Sequence, residues 1–349
     1  MKDFMPNYAN LVQAARNICP ERMPLYEHHI SDRVMEKILN KQFSGLKDGN
    51  KSDKREYFRN FNEFFKQMGY DTVSFELGIA EIMPHSGALR ENKPGVIKNR
   101  KDFEKYPWAE IPDIFFSRYS DLFDAMRVEL PPGMLAVGGP GYGLFECVQD
   151  VVGYQELCYI SFDDPDLYSD LFKTAGNMMA EIWKRFMKQY SDAYAVCRFG
   201  DDLGFRNSTL LPPGDIRYHI IPQYKRIIEI VHSYGKPFVF HCCGKIFDIM
   251  EDLINVAKID AKHSNEDQIA KFSVWVEKYG NRIGNFGGVD TDHLCRKSEA
   301  EIRSIVREVV SESMGHGGFA LGSGNSIPDY VPPEGYLAMI EEARVLRGE

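Results

Sequence analysis

A histidine and a cysteine separated by one residue carry the clearest metal-binding chemistry in the sequence. His241 and Cys243 lie in the run FVFHCCGKI, residues 238–246. On an extended strand end, residues two apart point to the same side, and an imidazole nitrogen with a thiolate sulfur is a typical zinc ligand pair. Cysteine is also among the most frequently buried residue types. The alternative is therefore that Cys242 and Cys243 are inert buried thiols and that His241 is a hydrogen-bonded core residue.

Two adjacent carboxylates follow another apolar run, in CRFGDDLGF at residues 197–205. Asp201 and Asp202 are candidate catalytic residues, because a carboxylate can bind a metal, transfer a proton or hold a cationic substrate. Arg198 and Arg206 flank the pair and are candidate substrate-binding residues. Aspartates in such a place also cap helices or form turns, so a structural role stays open.

The remaining candidates lie in loops rich in glycine or polar residues. Tyr142, in AVGGPGYGLFE at residues 136–146, is a candidate catalytic residue, and this segment lacks the Lys-Ser/Thr of a phosphate-binding P-loop. Asp290, in FGGVDTDHLC, is a candidate metal ligand. Glu27, His263 and Asn325 are candidate substrate-binding residues. Each of them could instead be an ordinary loop or helix-capping residue.

The elements that must position these residues alternate regularly from residue 72 onward. The predicted strands are 72–77, 134–139, 194–200, 237–241, 258–262, 282–288 and 318–322, and the helix patterns between them include 165–190, 215–234, 246–257, 266–279 and 298–314. Strands that alternate with helices of this length indicate parallel βαβ units. Their number favours a (β/α)8 TIM barrel, and no Gly-x-Gly-x-x-Gly supports a Rossmann domain. Active sites of such barrels lie at the carboxyl ends of the strands, where most of the candidates fall.

The first 70 residues have a different character from the rest of the chain. They are polar, and the segment 31–39 opens with a Ser-Asp cap signal before helically spaced apolar residues. We therefore predict a helical N-terminal extension over 1–70 and an α/β barrel over 71–349.

Composition limits the classes of partner. The 349-residue chain has a formal net charge of -9, which argues against nucleic acid or an anionic membrane and favours a small-molecule substrate. Seven cysteines are an odd number in a chain of this size, so disulfides are not expected. The amino end lacks a signal-peptide apolar core and no stretch is apolar enough to span a membrane. The expected location is the cytoplasm.

One long segment resembles a known family. Residues 198–246, RFGDDLGFRNSTLLPPGDIRYHIIPQYKRIIEIVHSYGKPFVFHCCGKI, are similar to the signature region of the uroporphyrinogen decarboxylase superfamily. Gly-Asp-Asp, a Pro-led helix and a His-x-Cys-Gly strand end follow one another there in this order. The downstream segments around 284–288 and 321–334 are also similar. The resemblance implies a (β/α)8 barrel that is either a tetrapyrrole decarboxylase or a methyltransferase between a corrinoid and a thiol.

Two departures from the family patterns bear on that choice. The decarboxylases carry an arginine-rich motif near the amino end for the substrate carboxylates, whereas this chain has CPERMPLYEHHISD at 19–32. The loss of guanidinium groups that bind carboxylates argues against decarboxylation. The methyltransferases add a distant third cysteine to His-x-Cys, but residues 322–326 read Gly-Ser-Gly-Asn-Ser. A carboxylate such as Glu27, Asp201 or Asp290 could take that place, because zinc accepts oxygen ligands.

The resemblance thus implies a zinc-dependent methyltransferase that acts with a partner corrinoid protein. Zinc would generate a thiolate nucleophile, or in the reverse role would activate a methoxy or methylamine donor. A uroporphyrinogen decarboxylase and a non-catalytic, ligand-sensing barrel are the alternatives.

Overall fold

The computed structural model of this chain describes residues 4–349. Its centre is one sheet of seven parallel strands in the order β1 to β7, with helices following the strands. The strands are β1 Thr72–Gly78, β2 Leu135–Gly141, β3 Tyr194–Gly200, β4 Phe238–His241, β5 Ala261–His263, β6 Gly284–Val289 and β7 Phe319–Ser323. The prediction of an α/β, TIM-barrel-like fold is confirmed.

The helices surround the sheet. They are α1 Ala9–Ala15, α2 Asp32–Leu39, α3 Lys51–Gln67, α4 Arg100–Lys105, α5 Ile111–Val128, α6 Leu144–Val152, α7 Tyr154–Asp163, α8 Pro165–Tyr190, α9 Pro213–Asp215, α10 Ile221–Ser233, α11 Met250–Asp252, α12 Phe272–Tyr279, α13 Thr291–Arg296, α14 Glu299–Ser313 and α15 Pro333–Leu346. Short 3₁₀ turns lie at Ser44–Asp48, Ala80–Ile82 and Phe247–Ile249, and π-helical turns at Ile216–Ile220 and Leu253–Ala257. Over residues 4–349, no helix combines the length and hydrophobicity that crossing a membrane requires.

Two predicted elements differ from the observed ones for local reasons. The strand expected at 258–262 begins only at Ala261, because Lys258 is left-handed with φ 66° and the Asp260 carboxylate accepts a hydrogen bond from the Phe238 N–H. The helix expected at 266–279 begins only at Phe272. The preceding loop is held instead by Asp290, which accepts the Asp267 N–H at 2.8 Å.

The gap between β7 and β1 is filled by a stretch near the amino end, residues 24–31, which we call the closing segment. Its backbone pairs with β7 and the residues just after it through the bridges Leu25–Leu321 and Ile30–Ile327. On its other side, the Ser74 hydroxyl of β1 donates to the His28 carbonyl at 2.7 Å. The closing segment therefore takes the place of the eighth strand, and it carries Glu27 and His28 to the carboxyl ends of the strands.

The opposite end of the sheet is closed by α1. Leu11, Ala14 and Ala15 are fully buried and pack against small residues that line the barrel interior. The fit is tight, since a Cβ on Gly318 would lie 1.9 Å from the Ala14 carbonyl oxygen. In residues 4–349, α1 thus closes this end of the interior, and a cavity lies at the carboxyl ends of the strands.

Candidate functional site

The His-x-Cys pair lies where β4 ends, at the floor of the open mouth. His241 is the last residue of β4 and is almost fully buried. The Cys243 sulfur is 3.5 Å from His241 Nε2. The intervening Cys242 points elsewhere and is fully buried, where its sulfur accepts the Leu203 N–H at 3.4 Å. The Cys243 thiol therefore lies beside His241, whereas the Cys242 thiol is part of the core.

Asp202 is the carboxylate that accompanies this pair. Its Oδ1 accepts the Cys243 N–H at 3.1 Å, and the ligand atoms of Asp202, His241 and Cys243 all lie within 4.8 Å of one another. Oxygen, nitrogen and sulfur are each accepted by zinc, so this donor set fits the metal that the sequence suggests. Burial and the neighbouring Asp202 carboxylate raise the pKa of the Cys243 thiol, which therefore stays protonated until a cation binds beside it.

Residues 322–326, where the methyltransferase pattern would have a third cysteine, contact Cys243 through Asn325. Asn325 donates from Nδ2 to the Cys243 sulfur at 3.2 Å, and the Ser264 hydroxyl lies 3.8 Å from the same atom. Asn325, expected to bind substrate, thus contacts the thiol itself. Donors aimed at a sulfur stabilise its thiolate form.

Three histidine rings, those of His28, His241 and His263, lie against one another at this site. His28 lies over His241 with ring centroids 3.8 Å apart and an interplanar angle of 19°. His241 Nδ1 is 2.7 Å from Nδ1 of His263, whose Nε2 is 3.0 Å from the Ser323 carbonyl oxygen. Burial lowers the pKa of all three imidazoles, that of His263 to about 3. All three rings are therefore neutral at pH 7.

Arg198 lies below the open mouth, where other side chains of the protein surround its guanidinium. It is fully buried and donates to Glu76 at 2.9 Å, to the Tyr26 hydroxyl at 2.9 Å and to Ser74 at 3.0 Å. Glu76 Oε1 in turn lies 3.4 Å from Nε2 of His28. Arg198 was expected to contact substrate, but in the structure its guanidinium orients Glu76.

Asp201 caps a helix from a distance. Its carboxylate accepts the N–H groups of Phe145 and Glu146, at 2.8 and 2.9 Å, in the first turn of α6, and it also accepts the Tyr224 hydroxyl. Burial raises its pKa to about 7 and raises that of the neighbouring Glu146 well above its usual range. Because three donors surround its carboxylate, Asp201 rather than Glu146 holds the negative charge. The structure gives this predicted catalytic residue a positioning contact, whereas Asp202 faces the mouth.

Glu27 is fixed on the closing segment. Its Oε1 accepts the Ser323 N–H at 2.8 Å, and its Oε2 accepts the Ser323 hydroxyl. Burial raises the pKa of Glu27 to about 8. Both oxygens are thus occupied by β7, and Glu27 is not among the groups that converge with His241 and Cys243.

Asp290 and Arg206 lie in a neighbouring pocket of about 330 Å³. Asp290 is the N-cap of α13, where it accepts the Asp292 N–H at 2.8 Å, and it also accepts the Asp267 N–H. Its carboxylate is therefore committed to the backbone and does not join the metal-binding cluster. None of the three carboxylates expected as a third ligand is beside the pair; Asp202 occupies that position.

The cavity at the carboxyl ends of the strands has a volume of about 470 Å³ and is bordered by Tyr142, Asn325, His241 and Cys243. Tyr142 has φ 59° and packs its ring where a side chain on Gly78 would stand. The charged residues that line the cavity are Lys47, Glu76, Glu81, Glu146 and Asp202. Among the described lining residues there is thus one lysine and no arginine, so the cavity is predominantly acidic.

Several of these residues were not singled out by sequence reasoning. Lys47 and Glu146 reach the cavity from a charged surface loop and a helix start, and nothing in their local pattern distinguishes them from solvated residues. His28 was visible in the run YEHH beside Glu27, where it could reach the barrel mouth, but the sequence favoured a polar entry loop. No local signal could have found it, because Pro24 to Glu27 are all buried and the closing segment lacks the alternation of a regular strand.

Most of the chain matches a known protein family. The sequence profile of the uroporphyrinogen decarboxylase (URO-D) family matches residues 77–346. A uroporphyrinogen decarboxylase of Streptomyces avermitilis is 24% identical over 191 residues, which is 52% of this chain and 48% of that protein, so the match spans about half of the relative's length.

Solved structures extend the likeness to the whole chain. A methyltransferase from Methanosarcina mazei superposes with a TM-score of 0.71 at 14% identity, covering 98% of this chain and 99% of that one. A protein of Listeria monocytogenes described as a vitamin-B12-independent methionine synthase gives a TM-score of 0.52 at 14% identity, with coverage of 94% and 100%. At these identities the structures show the fold alone. The profile match over most of the sequence shows that the chain belongs to the uroporphyrinogen decarboxylase family.

Proposed function

We propose that this chain is a methyltransferase that transfers a methyl group between a corrinoid, carried by a partner protein, and a thiol, with zinc held by His241, Cys243 and Asp202. The observation that carries the proposal is the convergence of these three ligand atoms within 4.8 Å at the floor of an open cavity. Three protein ligands with a free fourth position are typical of catalytic rather than structural zinc sites.

The cavity wall favours this reaction over decarboxylation of a polycarboxylate. A substrate with many carboxylates requires several guanidinium or ammonium groups. Here Lys47 lines the cavity with four acidic residues, and the predicted substrate-binding Arg198 is buried against Glu76. The fold neighbour from Methanosarcina mazei, described as a methyltransferase, agrees with this choice.

The protein side chains have distinct tasks in the proposed site. Zinc, when bound, would lower the pKa of a coordinated thiol so that the thiolate forms at neutral pH. Asn325 and Ser264 support the negative charge on the Cys243 sulfur. Burial raises the pKa of Glu76, a carboxylate in the cavity wall, so it is suited to take up the proton that an acceptor thiol loses.

Metal retention tests the assignment with a matched pair of cysteine variants. We expect purified wild type to retain zinc, Cys243→Ser to lose it, and Cys242→Ser to retain it, because only the Cys243 sulfur faces His241. Elemental analysis gives the zinc content, and circular dichroism checks that both variants are folded. Equal zinc content in all three proteins, or none in any, would discard the metal site.

Activity assays separate the two reactions of the family. Methylcobalamin with a panel of small thiols serves as the methyl-transfer assay, followed by the change in cobalamin absorbance. Release of carbon dioxide from uroporphyrinogen serves as the decarboxylase assay. We expect the first activity, lost in Cys243→Ser, and not the second; carbon dioxide release that survives in Cys243→Ser would establish the decarboxylase alternative.

A further inference from the structure

The proton on His263 can be assigned from its hydrogen bond to the backbone. His263 Nε2 lies 3.0 Å from the Ser323 carbonyl oxygen, which can only accept. Nε2 of His263 therefore carries the proton. A neutral imidazole has one N–H, so Nδ1 of His263 is left as an acceptor.

The proton between the two rings belongs to His241. Nδ1 of His241 is 2.7 Å from Nδ1 of His263, and two nitrogens at that distance share one proton. Since Nδ1 of His263 accepts, Nδ1 of His241 donates. His241 is then left with its lone pair on Nε2, the atom that lies 3.5 Å from the Cys243 sulfur.

We infer that His263 is a positioning residue that, through the Ser323 carbonyl, fixes the tautomer of His241 and presents the bare Nε2 of His241 to a metal. The inference deepens the proposed function and rests on it for the identity of the metal. A metal-bound histidine needs an unprotonated ligating nitrogen, and the partner of its other nitrogen decides which tautomer is present. Here that partner is a second histidine, itself fixed by the backbone.

The hydrogen bonds that run from the Ser323 carbonyl through His263 to His241, which we call the relay, are held in place by buried groups. Glu27 holds Ser323 by its N–H and its hydroxyl, which fixes the carbonyl that His263 meets. The His263 carbonyl accepts the Cys242 N–H at 2.9 Å, which fixes the backbone between the two proposed ligands. His263 is fully buried, so water does not compete for its nitrogens.

A metal centre made of the three histidines is the competing assignment, because His28, His241 and His263 also place nitrogens within 4.8 Å of one another. The ring planes argue against it. His28 is inclined to His241 by only 19° and to His263 by 21°. The lone pairs of an imidazole lie in its ring plane, so those of near-parallel stacked rings do not converge on one ion. The bond between the two Nδ1 atoms would also have to break.

Nuclear magnetic resonance of the metal-free protein tests the proton positions without any activity. With ¹⁵N-labelled histidine, long-range proton–nitrogen spectra distinguish the two tautomers, and histidine variants assign the nine histidines. We expect the proton of His263 on Nε2 and that of His241 on Nδ1. A His241 proton on Nε2 in folded wild type would overturn the inference.

Zinc affinity then tests the consequence, by competition with a chromophoric chelator. His263→Leu removes the acceptor and should weaken zinc binding by about 10–100-fold, whereas His263→Asn places an amide oxygen near the former Nδ1 and should restore most of the affinity. His28→Phe retains the stacked ring without nitrogens and should bind zinc as tightly as wild type. Wild-type affinity in His263→Leu overturns the relay, and a large loss in His28→Phe favours the three-histidine centre. If wild type binds no zinc while the spectra show the expected tautomers, the proposed function falls and the positioning of the His241 proton stands.

Discussion

Glu27 is a carboxyl group held out of water where the closing segment crosses β7, and it makes stability depend on pH. Burial raises its pKa from the usual 4.5 to about 8. Between these two values the folded protein binds the proton that the unfolded chain releases, so the stability that Glu27 supplies declines as pH rises through this window. One such group contributes a slope of up to about 1.4 kcal/mol per pH unit.

Glu27→Gln should remove this slope, because the amide is uncharged at every pH in the window. We expect the free energy of unfolding of the variant, relative to wild type, to increase between pH 5 and pH 8. Urea titrations at three pH values measure it, and the exposed Glu277→Gln is the control for loss of a surface carboxylate. A constant difference between Glu27→Gln and wild type across that range would show that Glu27 does not hold a proton in the folded state.

At the level of single residues, sequence reasoning found the pair but not its third partner. That His241 and Cys243 can meet follows from strand geometry alone, since residues two apart share a side. The proximity of Asp202 depends on the loop after β3, which brings its carboxylate to the N–H of a residue 41 positions away. Asp201 and Asp290 were equally plausible by type and place, and only their hydrogen bonds to helix starts exclude them.

At the scale of elements, the closing segment depends on a close approach to β7. Leu321 donates to the Pro24 carbonyl and Tyr26 donates to the Leu321 carbonyl, at 3.0 and 2.8 Å. Next to them, a Cβ on Gly322 would stand 1.7 Å from the Tyr26 carbonyl oxygen. Position 322 of β7 therefore requires a glycine, because the Tyr26 carbonyl occupies the space of a side chain there.

Gly322→Ala should therefore push the closing segment away from β7. We expect a loss of stability of about 2–4 kcal/mol, comparable with overpacking and loss of backbone hydrogen bonds, together with faster amide exchange in residues 24–31. Gly214→Ala is the matched control, because no atom lies within 4 Å of an added Cβ there. Equal stability and exchange in the two variants would contradict the proposed contact.

The seven strands were predictable from sequence and the eighth position was not. Most of the seven runs are apolar and bounded by Gly, Pro or Asp, the pattern of buried parallel strands. The run at 258–262, KIDAK, carries three charged residues, and its strand begins only at Ala261. PLYEHHI, residues 24–30, mixes polar and apolar residues and pairs with its neighbours only through isolated bridges. Its structure is imposed by the gap that the other strands leave, so local sequence carries little trace of it.

At the scale of the whole molecule, α1 and the closing segment contribute side chains to the interior of the barrel. Leu11, Ala14, Ala15 and Tyr26 lie in the same buried cluster as the inward-facing residues of β2 to β7. The division into an extension over 1–70 and a barrel over 71–349 stays a prediction about chain organisation. In physical terms, α1 and the closing segment supply interior surface that the strands alone lack.

A chain that begins at residue 71 should therefore not fold to the native state. Without α1 and the closing segment, the interior faces of the strands are open to water at one end and along one side, and each large apolar side chain so exposed costs about 1.5–3 kcal/mol. The sum is comparable with the total stability of a domain. We expect the 71–349 fragment to bind a hydrophobic dye and to lose a cooperative urea transition, and we expect a co-expressed 1–70 fragment to restore both properties in part. A cooperative transition of the fragment alone, with the denaturant dependence expected for its size, would show instead that the barrel closes without its amino-terminal residues and that His28 and Glu27 are dispensable for its fold.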